Sequence, residues 1–405
     1  MTLVPTLRPL GRATPPHIVT LVLMAGIGAM SMGIFLPSLP AMALHFGTDY
    51  AVMQLSVSLY LAAVAALQVI VGPLSDRYGR RPVMLGSLAL FLVATVGCLL
   101  APNVTVFLAC RMLQAAVAVG IVLSRAIVRD MVPQNEAASM IGYVTMGMAL
   151  VPMIAPTIGG GLDELFGWQS VFVFLLAAGL GVTWLVWADL GETAAQTFTS
   201  FAAQIREYPE LFASPRFWGY ALGAAFASGA FFAFLGGAPY AAAEIYGMTP
   251  FWTGVAFGAP AVGYALGNFL SGRLSVRLGI DRMMLAGATI VSAGMGLSVL
   301  LGLASLSHPA AFFGFVTTVG LGNGMVLPNA TAGLLSVRPH LAGTASGIGG
   351  AIMIGGGATL SVLAGVVLVG ASSSLPLQTL MLSTSLMSVI CTLYVIRRAR
   401  RLARS

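Results

Sequence analysis

Long apolar stretches alternate with short polar segments along almost the whole chain. A helix that crosses a bilayer needs roughly 20 apolar residues. Twelve stretches are long enough to predict transmembrane helices, with approximate limits of 17–40, 51–73, 82–101, 104–128, 139–161, 168–189, 217–240, 251–272, 282–305, 310–333, 341–369 and 376–396. One polar connection, residues 191–215, is much longer than the others. It predicts a linker between two six-helix bundles, residues 1–190 and 216–405.

The composition favours a membrane protein. The chain is 58% hydrophobic and 8% charged, with a mean hydropathy of +0.95, whereas soluble domains carry about 25% charged residues. So few charges could not cover a soluble surface. We therefore predict an all-α membrane protein whose twelve transmembrane helices form two pseudo-symmetric six-helix bundles.

All nineteen basic residues are arginine, and their distribution predicts the orientation of the chain. The arginines outside the apolar stretches lie before the first stretch, after an even-numbered stretch or in the linker. The opposite connections contain no arginine; their charged residues are Asp49, Asp163, Glu164 and Glu244. Because cytoplasmic loops are enriched in positive charge, we expect both termini and the linker to be cytoplasmic, in a bacterial inner membrane. The net charge of +7 then needs no nucleic-acid partner.

A charged segment after the second stretch recurs 200 residues later. The first copy is Gly72-Pro-Leu-Ser-Asp-Arg-Tyr-Gly-Arg-Arg81, and the second is Gly272-Arg-Leu-Ser-Val-Arg-Leu-Gly279. The duplication predicts two similar halves joined in one chain, as in many secondary transporters that open alternately to either side of the membrane. Val276 replaces the acid Asp76, so we expect the two segments to be unequal in function.

Residues that could form a catalytic or metal site are scattered. The three cysteines lie inside apolar stretches, and their odd number and wide spacing argue against disulfides or a metal site. The four histidines lie at helix ends or in loops on both sides of the membrane, without metallohydrolase spacing. We expect no metal, no cofactor and no enzymatic activity.

Several short segments together carry a family resemblance. They are Phe35-Leu-Pro-Ser-Leu-Pro40, Met53-Gln-Leu-Ser, Gln68, Arg111-Met-Leu-Gln114, Ser124-Arg-Ala-Ile-Val-Arg-Asp130, Gly324-Met-Val-Leu-Pro-Asn-Ala330 and Ala342-Gly-Thr-Ala-Ser-Gly347. With residues 72–81, which are similar to the loop signature of the major facilitator superfamily, this set resembles the Bcr/CflA drug-resistance exporters. These belong to the drug:proton antiporters of that superfamily.

The resemblance implies a gating role for the first charged segment. Asp76 would close the cytoplasmic side by meeting a helix N-terminus in the other half, where the helix dipole favours a carboxylate. Arg77 and Arg81 would complete this charge network, whereas Arg80 and Arg81 could also serve only to set topology. The whole signature comprises Gly72, Asp76, Arg77, Gly79, Arg80 and Arg81.

The fifth stretch is similar to the Gly/Pro-rich motif of antiporters in the superfamily. Matching residues are Gly142, Pro156, Gly159 and Gly160, whereas Val151 and Ala155 stand where glycines are usual. Proline removes an internal hydrogen bond and glycine permits close packing. The motif therefore predicts a helix that can kink and form a tight seal.

An acid that is usual in the first helix of this family is missing. Gly33 occupies its position, and no carboxylate lies at mid-membrane depth in any predicted span. Arg111 lies roughly 12 Å into the fourth stretch at 1.5 Å per residue, where a charge is costly. Either neutral neighbours such as Gln114 and backbone carbonyls satisfy it, or it awaits an anionic substrate. The proton-coupling site stays open, with Asp76, Asp130 and Asp49 as candidates.

The substrate cavity is expected to be apolar and aromatic, with a few polar points. Methionine and aromatic side chains adapt to varied ligands. The predicted lining residues are Met30, Gly33, Phe35, Tyr60, Gln68, Arg111, Gln114, Met146, Phe231, Phe234, Asn268, Asn323, Asn329 and Met353.

Together these features predict a secondary active transporter that exports small amphipathic drugs or metabolites in exchange for protons. Its expected partners are a small-molecule substrate, protons and membrane lipid, and we expect a monomer. Two alternatives stay open. One is uptake or facilitated transport of an anionic metabolite, which Arg111 and the missing acid favour. The other is a transporter-like membrane sensor without flux.

Overall fold

A computed structural model describes residues 16–131, 140, 144, 151, 154–193, 209–306, 308–338 and 342–402. Within these ranges, one helix corresponds to each predicted stretch. The first half contains α1 (Ile18–Gly33 and Leu39–His45), α2 (Tyr50–Tyr78), α3 (Arg80–Leu99), α4 (Val104–Gln114 and Val119–Met131), α5 (described over 154–166) and α6 (Gln169–Asp189). The second half contains α7 (Pro215–Tyr240), α8 (Pro250–Ala256 and Ala259–Leu278), α9 (Ile280–Leu303), α10 (Pro309–Val337), α11 (Ala342–Leu368) and α12 (Leu375–Leu402).

Ten of these helices, counted over the described residues, are long and apolar enough to cross a membrane. The other two are α5, described without gaps only from residue 154 onward, and α8, which Phe257 and Gly258 divide. The twelve predicted stretches therefore correspond to twelve helices, although several helices extend beyond their predicted limits.

Two helices of the first half contain a turn of 3₁₀-helix within the span. In α1 this turn is Leu36–Ser38, and the prolines at positions 37 and 40 each remove a backbone donor there. In α4 the turn is Ala115–Ala118, immediately after Gln114. A short 3₁₀ segment within a helix often marks a hinge or a strained position.

The predicted loop at residues 72–81 is wrong in extent, because nearly all of this segment is helical. Only Gly79 separates α2 from α3, and only Gly279 separates α8 from α9. Their φ angles are +95° and +84°, with ψ angles of 151° and 154°. Glycine alone tolerates this backbone region readily. The repeated glycine thus makes the same sharp connection in each half.

The two halves pack their helices in the same pattern. In the first, α1 contacts α4 and α6, α3 contacts α4 and α6, and α2 contacts α4. In the second, α7 contacts α10 and α12, α9 contacts α10 and α12, and α8 contacts α10. The described residues thus form two pseudo-symmetric bundles. Most of the linker predicted at 191–215 lies outside them, so its boundaries remain a prediction.

The two ends of the helices differ in their content of arginine. We call the ends that carry Arg77, Arg277, Arg338 and Arg397 the arginine-rich side. The ends that carry Asp49, Asp163 and Glu244 form the arginine-poor side, where no described residue is an arginine.

Candidate functional site

A buried arginine joins three helices of the first half. The side chain of Arg111 on α4 is 1% exposed. Its Nη1 donates to Ser31 Oγ at 3.1 Å and to Gln114 Oε1 at 2.7 Å, and its Nη2 donates to the Ser31 carbonyl oxygen at 2.6 Å. The guanidinium carbon lies 4.2 Å from the ring centroids of both Phe35 and Tyr60. Neutral groups therefore accept from both terminal nitrogens of Arg111, as in the first of the two alternatives, while its buried Nε has no hydrogen-bond partner among the described residues.

Gly33 does not face this arginine. Ser31 and Phe35 are four residues apart and contact Arg111 together, as residues on one helix face do. Gly33 lies between them in sequence and so on the opposite face, where a Cβ atom would meet Pro156 at 3.9 Å. Its predicted place in the cavity is therefore corrected: Gly33 is buried against α5. A carboxylate at this position would not pair directly with Arg111.

The remaining predicted lining residues divide between buried and partly exposed positions. Phe234 is buried against the aromatic rings of Phe257, Phe312 and Phe313, within the second half. Asn323 and Asn329 on α10 are buried as well. The other predicted lining residues that the structure describes are partly exposed; they are Met30, Gln68, Phe231, Asn268 and Met353.

These environments correct part of the predicted lining. Phe234 serves helix packing, and Asn329 donates to Ser271 Oγ at 2.8 Å and to the Met325 carbonyl at 2.7 Å, which joins α10 to α8. Hydrogen-bonding capacity used inside a bundle does not serve a ligand. Met146 and Gly142 lie outside the described residues.

The halves are in contact on the arginine-poor side. The Tyr50 hydroxyl on α2 donates to the Gly236 carbonyl oxygen on α7 at 2.9 Å. Gln54 Nε2 donates to the carbonyl oxygen and the Oγ of Ser361 on α11, both at 2.7 Å. We call this contact surface, together with the neighbouring contact of α5 and α8, the seam.

Glycines bring the backbones of α5 and α8 together in the seam. A side chain at Gly160 would collide with the Pro250 carbonyl, and one at Gly254 would collide with the Pro156 carbonyl. Gly159 makes the same close contact with the backbone of α1. Three residues of the predicted helix 5 motif, Pro156, Gly159 and Gly160, thus lie where the backbones of two helices are in direct contact.

The seam does not continue to the arginine-rich ends of α2 and α11. Ala65, Gln68 and Gly72 recur at helical spacing on α2, and the first two lie close to glycines of α11. At Gly72, however, a Cβ atom would have no neighbour within 4 Å, and the same holds for Gly347 on α11. Every hydrogen bond that the described residues form between the halves also lies on the arginine-poor side, so the halves meet there and diverge towards the arginine-rich side.

The charged signature is engaged within the first half. Arg80 pairs with Asp76 at 2.5 Å and with Asp130 on α4 at 3.1 Å. The contact predicted between Asp76 and a helix N-terminus in the other half is therefore wrong for this conformation, because the halves are apart at this end. Arg80, which could have served topology alone, joins the two acids, whereas Arg77 lies over the ring of Tyr78.

Glu192 completes this network, and the sequence analysis predicted no role for it. Its carboxylate accepts from the backbone N–H groups of Arg80 at 2.8 Å and Arg81 at 3.3 Å, at the N-terminus of α3. A carboxylate there is favoured by the unpaired amides and the helix dipole. Ser31 and Gln54 were missed as well, because their partners lie 80 and 307 residues away.

Two similar helical bundles that are in contact on one side of the membrane and diverge on the other form the architecture of a secondary transporter. The chain is a multi-pass membrane protein of this class. The family model of the Major Facilitator Superfamily matches residues 21–361. The chain therefore belongs to the Major Facilitator Superfamily.

Relatives over nearly the whole chain include proteins named for drug resistance. The uncharacterized MFS-type transporter YdgK of Bacillus subtilis (strain 168) is 30% identical over 90% of this chain and 91% of its own length. A chloramphenicol resistance protein of Pseudomonas aeruginosa is 29% identical over 83% of this chain and 81% of its own. Multidrug resistance protein D of Escherichia coli (strain K12) is 29% identical over 92% and 94%, respectively.

Solved structures agree on the fold. A bacterial homolog of the human lysosomal transporter Spinster, in an inward-facing and unoccupied conformation, superposes with a TM-score of 0.72 at 17% identity. The match covers 95% of this chain and 96% of the other. The same homolog in an inward-facing, occupied conformation has a TM-score of 0.70. At this identity the likeness describes the fold alone.

Proposed function

We propose that the protein exports small amphipathic compounds, drugs or metabolites, by alternating access with proton antiport. The observation that carries the proposal is an asymmetry between the two sides: glycines and hydrogen bonds join the halves in the seam on the arginine-poor side, and the halves diverge on the arginine-rich side. Relatives named for chloramphenicol and multidrug resistance favour export.

The orientation that we propose makes this conformation competent to load substrate. With both termini and residues 191–215 in the cytoplasm, the arginine-rich side faces the cytoplasm. The gap between the halves is then accessible from the cytoplasm and closed to the outside. An exporter in the bacterial inner membrane must pass through such a state to collect its substrate. We propose that one chain suffices for this cycle.

Proton coupling must use groups near the membrane surfaces. No acid lies at mid-depth in the described spans, and Asp76 and Asp130 share Arg80 on the arginine-rich side. Asp49, with Glu244, lines a cavity of about 200 Å³ on the arginine-poor side. These acids remain the proposed candidates. Arg111 no longer favours uptake of an anion, because its donors are largely occupied.

Flux in proteoliposomes tests the proposal. Candidate compounds are first selected by a resistance screen in a pump-deleted bacterial host, and then assayed with an imposed proton gradient. We expect substrate movement that the gradient accelerates and that protein-free liposomes lack. Binding without flux would support the sensor alternative, and flux insensitive to the gradient would contradict antiport.

A further inference from the structure

Arg125 is an exposed charge within a membrane-spanning helix. It lies on the second segment of α4, inside the apolar span Val104–Val128. Its neighbours Ser124 and Ala126 are buried, whereas Arg125 itself is exposed. Because Arg125 lies three residues before the end of this span, where a long arginine side chain can reach the membrane surface, only its contacts show which surface it faces.

The surroundings of Arg125 lie between the two halves. Its electrostatic neighbour is Tyr264, which belongs to α8 in the other half. Ile121, one turn earlier on the same face of α4, packs against a buried cluster that includes Tyr60, and Ile354 of the second half packs against the same cluster. This face of α4, and with it Arg125, is therefore turned towards the other half. Tyr264 is followed one turn later by Asn268, whose amide donates to the Tyr264 carbonyl oxygen at 2.8 Å.

Arg125 differs from Arg111 in having no hydrogen-bond or ion-pair partner in the part of the chain that the structure describes. Among the described residues, none forms a hydrogen bond or an ion pair with it, and the ion pairs of the first half all belong to Arg80. Arg111, by contrast, has three hydrogen bonds and two aromatic rings. The donors of Arg125 are thus left for water or a ligand.

The charges of the spans have one sign. In the described parts of the spans that contribute to this gap, the ionised groups are the buried Arg111, whose donors are largely occupied, and the exposed Arg125, and no acid lies at mid-depth. A cleft with low-dielectric walls and a single sign of charge concentrates ions of the opposite sign. The planar guanidinium, with its fork of donors, matches a carboxylate, sulfonate or phosphate group.

We propose that Arg125, with Tyr264 opposite, binds the acidic group of amphipathic organic anions that enter the gap from the arginine-rich side. The proposal rests on the export function above and specifies its substrate class. The same chemistry occurs in anionic lipid headgroups, and the experiment separates the two sources.

Three coumarin probes on one scaffold test the charge preference in proteoliposomes: coumarin-3-carboxylic acid, its neutral carboxamide and the cationic 3-aminomethyl compound. Wild type is compared with Arg125→Gln and Arg125→Lys. Arg397→Gln is the matched control, because it removes an exposed charge at the end of α12. Binding of each probe to the purified protein is measured in parallel by fluorescence anisotropy.

The acid should be bound and moved in preference to the other probes. Arg125→Gln should weaken its binding and flux on the order of tenfold, the factor expected for one lost charge-assisted hydrogen bond. Arg125→Lys should retain much of the preference, and Arg397→Gln should equal wild type. This pattern in liposomes of phosphatidylcholine alone supports a substrate site. If phosphatidylglycerol abolishes acid binding to wild type, the ligand is lipid and the substrate assignment is overturned.

The outcomes distinguish the two proposals. Flux of all three probes that Arg125→Gln leaves unchanged overturns the anion site and leaves export intact. Binding of the acid that depends on Arg125, without flux of any probe, supports the site and counts against export. Equal binding of all three probes to wild type overturns the site.

Discussion

At the scale of single residues, Arg111 is a structural charge. Its removal leaves acceptors on Ser31 and Gln114 unpaired inside the bundle. Arg111→Ala should therefore lower the free energy of unfolding by about 1–3 kcal/mol for each buried acceptor left unsatisfied. Thermal unfolding of the detergent-solubilised protein measures this change. Arg397→Ala, at an exposed position, should unfold like wild type, and equal stability of both variants would contradict the structural role of Arg111.

Asp163 is a buried carboxyl at the arginine-poor end of α5, beyond the predicted membrane stretch. It is 8% exposed, and its Oδ2 has no hydrogen-bond partner among the described residues. Burial raises its pKa above the usual value; the Ser38 hydroxyl lowers it less, and Glu164 raises it slightly. The segments of α1, α6 and α8 around it carry one other titratable group, His45, whose ring packs on Trp168.

We expect this burial to link closure of the seam to protonation, because the adjacent Glu164 accepts from the Phe251 N–H of α8 across the seam. If opening hydrates the carboxyl, the open state has the lower pKa and closing takes up a proton. The closed state is then favoured at low pH, and it loses stability as the pH rises from the ordinary carboxyl value through the raised one. Asp163→Asn should remove this pH-dependent contribution to the stability of the closed state. The variant should therefore stay closed at a higher pH than wild type.

Accessibility of a cysteine at Ser361, buried in the seam, reports the closed state as the pH on the arginine-poor side is varied. Glu164→Gln is the control: Glu164 is exposed and accepts from the Phe251 N–H of α8, so an amide there keeps an acceptor oxygen and should leave most of the pH dependence in place. An identical pH profile for Asp163→Asn and wild type would refute the link.

At the scale of elements, the glycine contacts of α5 and α8 determine whether the seam can close. Gly160→Val and Gly254→Val place side chains against opposing carbonyl groups. Both should hold the helices apart, expose a cysteine at Ser361 and reduce transport. Gly181→Val on α6 is the matched control, because no atom lies within 4 Å of a Cβ there. A Ser361 cysteine that stays protected in the seam variants would exclude this role.

The helix ends on the arginine-rich side carry the residues that we expect to control closure of that side during transport. Asp76 pairs with Arg80 in this conformation, and its side chain is 33% exposed. Asp76→Asn should therefore cost little stability, since exposed pairs contribute about 0–1 kcal/mol, but it should lower turnover by shifting the conformational equilibrium. Flux and unfolding are measured beside Glu210→Gln, which breaks an exposed pair with Arg338. Unchanged turnover and accessibility in Asp76→Asn would argue against gating.

At the scale of the whole molecule, the distribution of arginine predicts how the chain lies in the membrane. We expect membrane-impermeant maleimide to label Thr48→Cys in intact cells and to leave Ser200→Cys unlabelled until the cells are opened. The three native cysteines, Cys98, Cys110 and Cys391, are replaced beforehand. Strong labelling of Ser200→Cys from outside would reverse the topology and, with it, the export direction.

The sequence by itself determined the helices, the charge asymmetry and the repeat. Lipid cannot satisfy backbone polar groups, so apolar stretches of sufficient length must become helices whatever their neighbours are. The positions of Arg77 and Arg277 in the sequence are enough to place both on the same side of the membrane. Gly79 and Gly279 have positive φ angles, and the glycines that make such connections are visible in the sequence.

Only the tertiary structure decided which side chains meet. The sequence left Arg111 with two possible partners, and the answer depended on the register of α1, which turns Ser31 towards it and Gly33 away. The partner of Asp76 depends on which side of the membrane the two halves are in contact. The two conformations differ in free energy by only a few kcal/mol. Glu192 and Arg125 acquire their surroundings from helices distant in sequence, and packing alone brings those helices together.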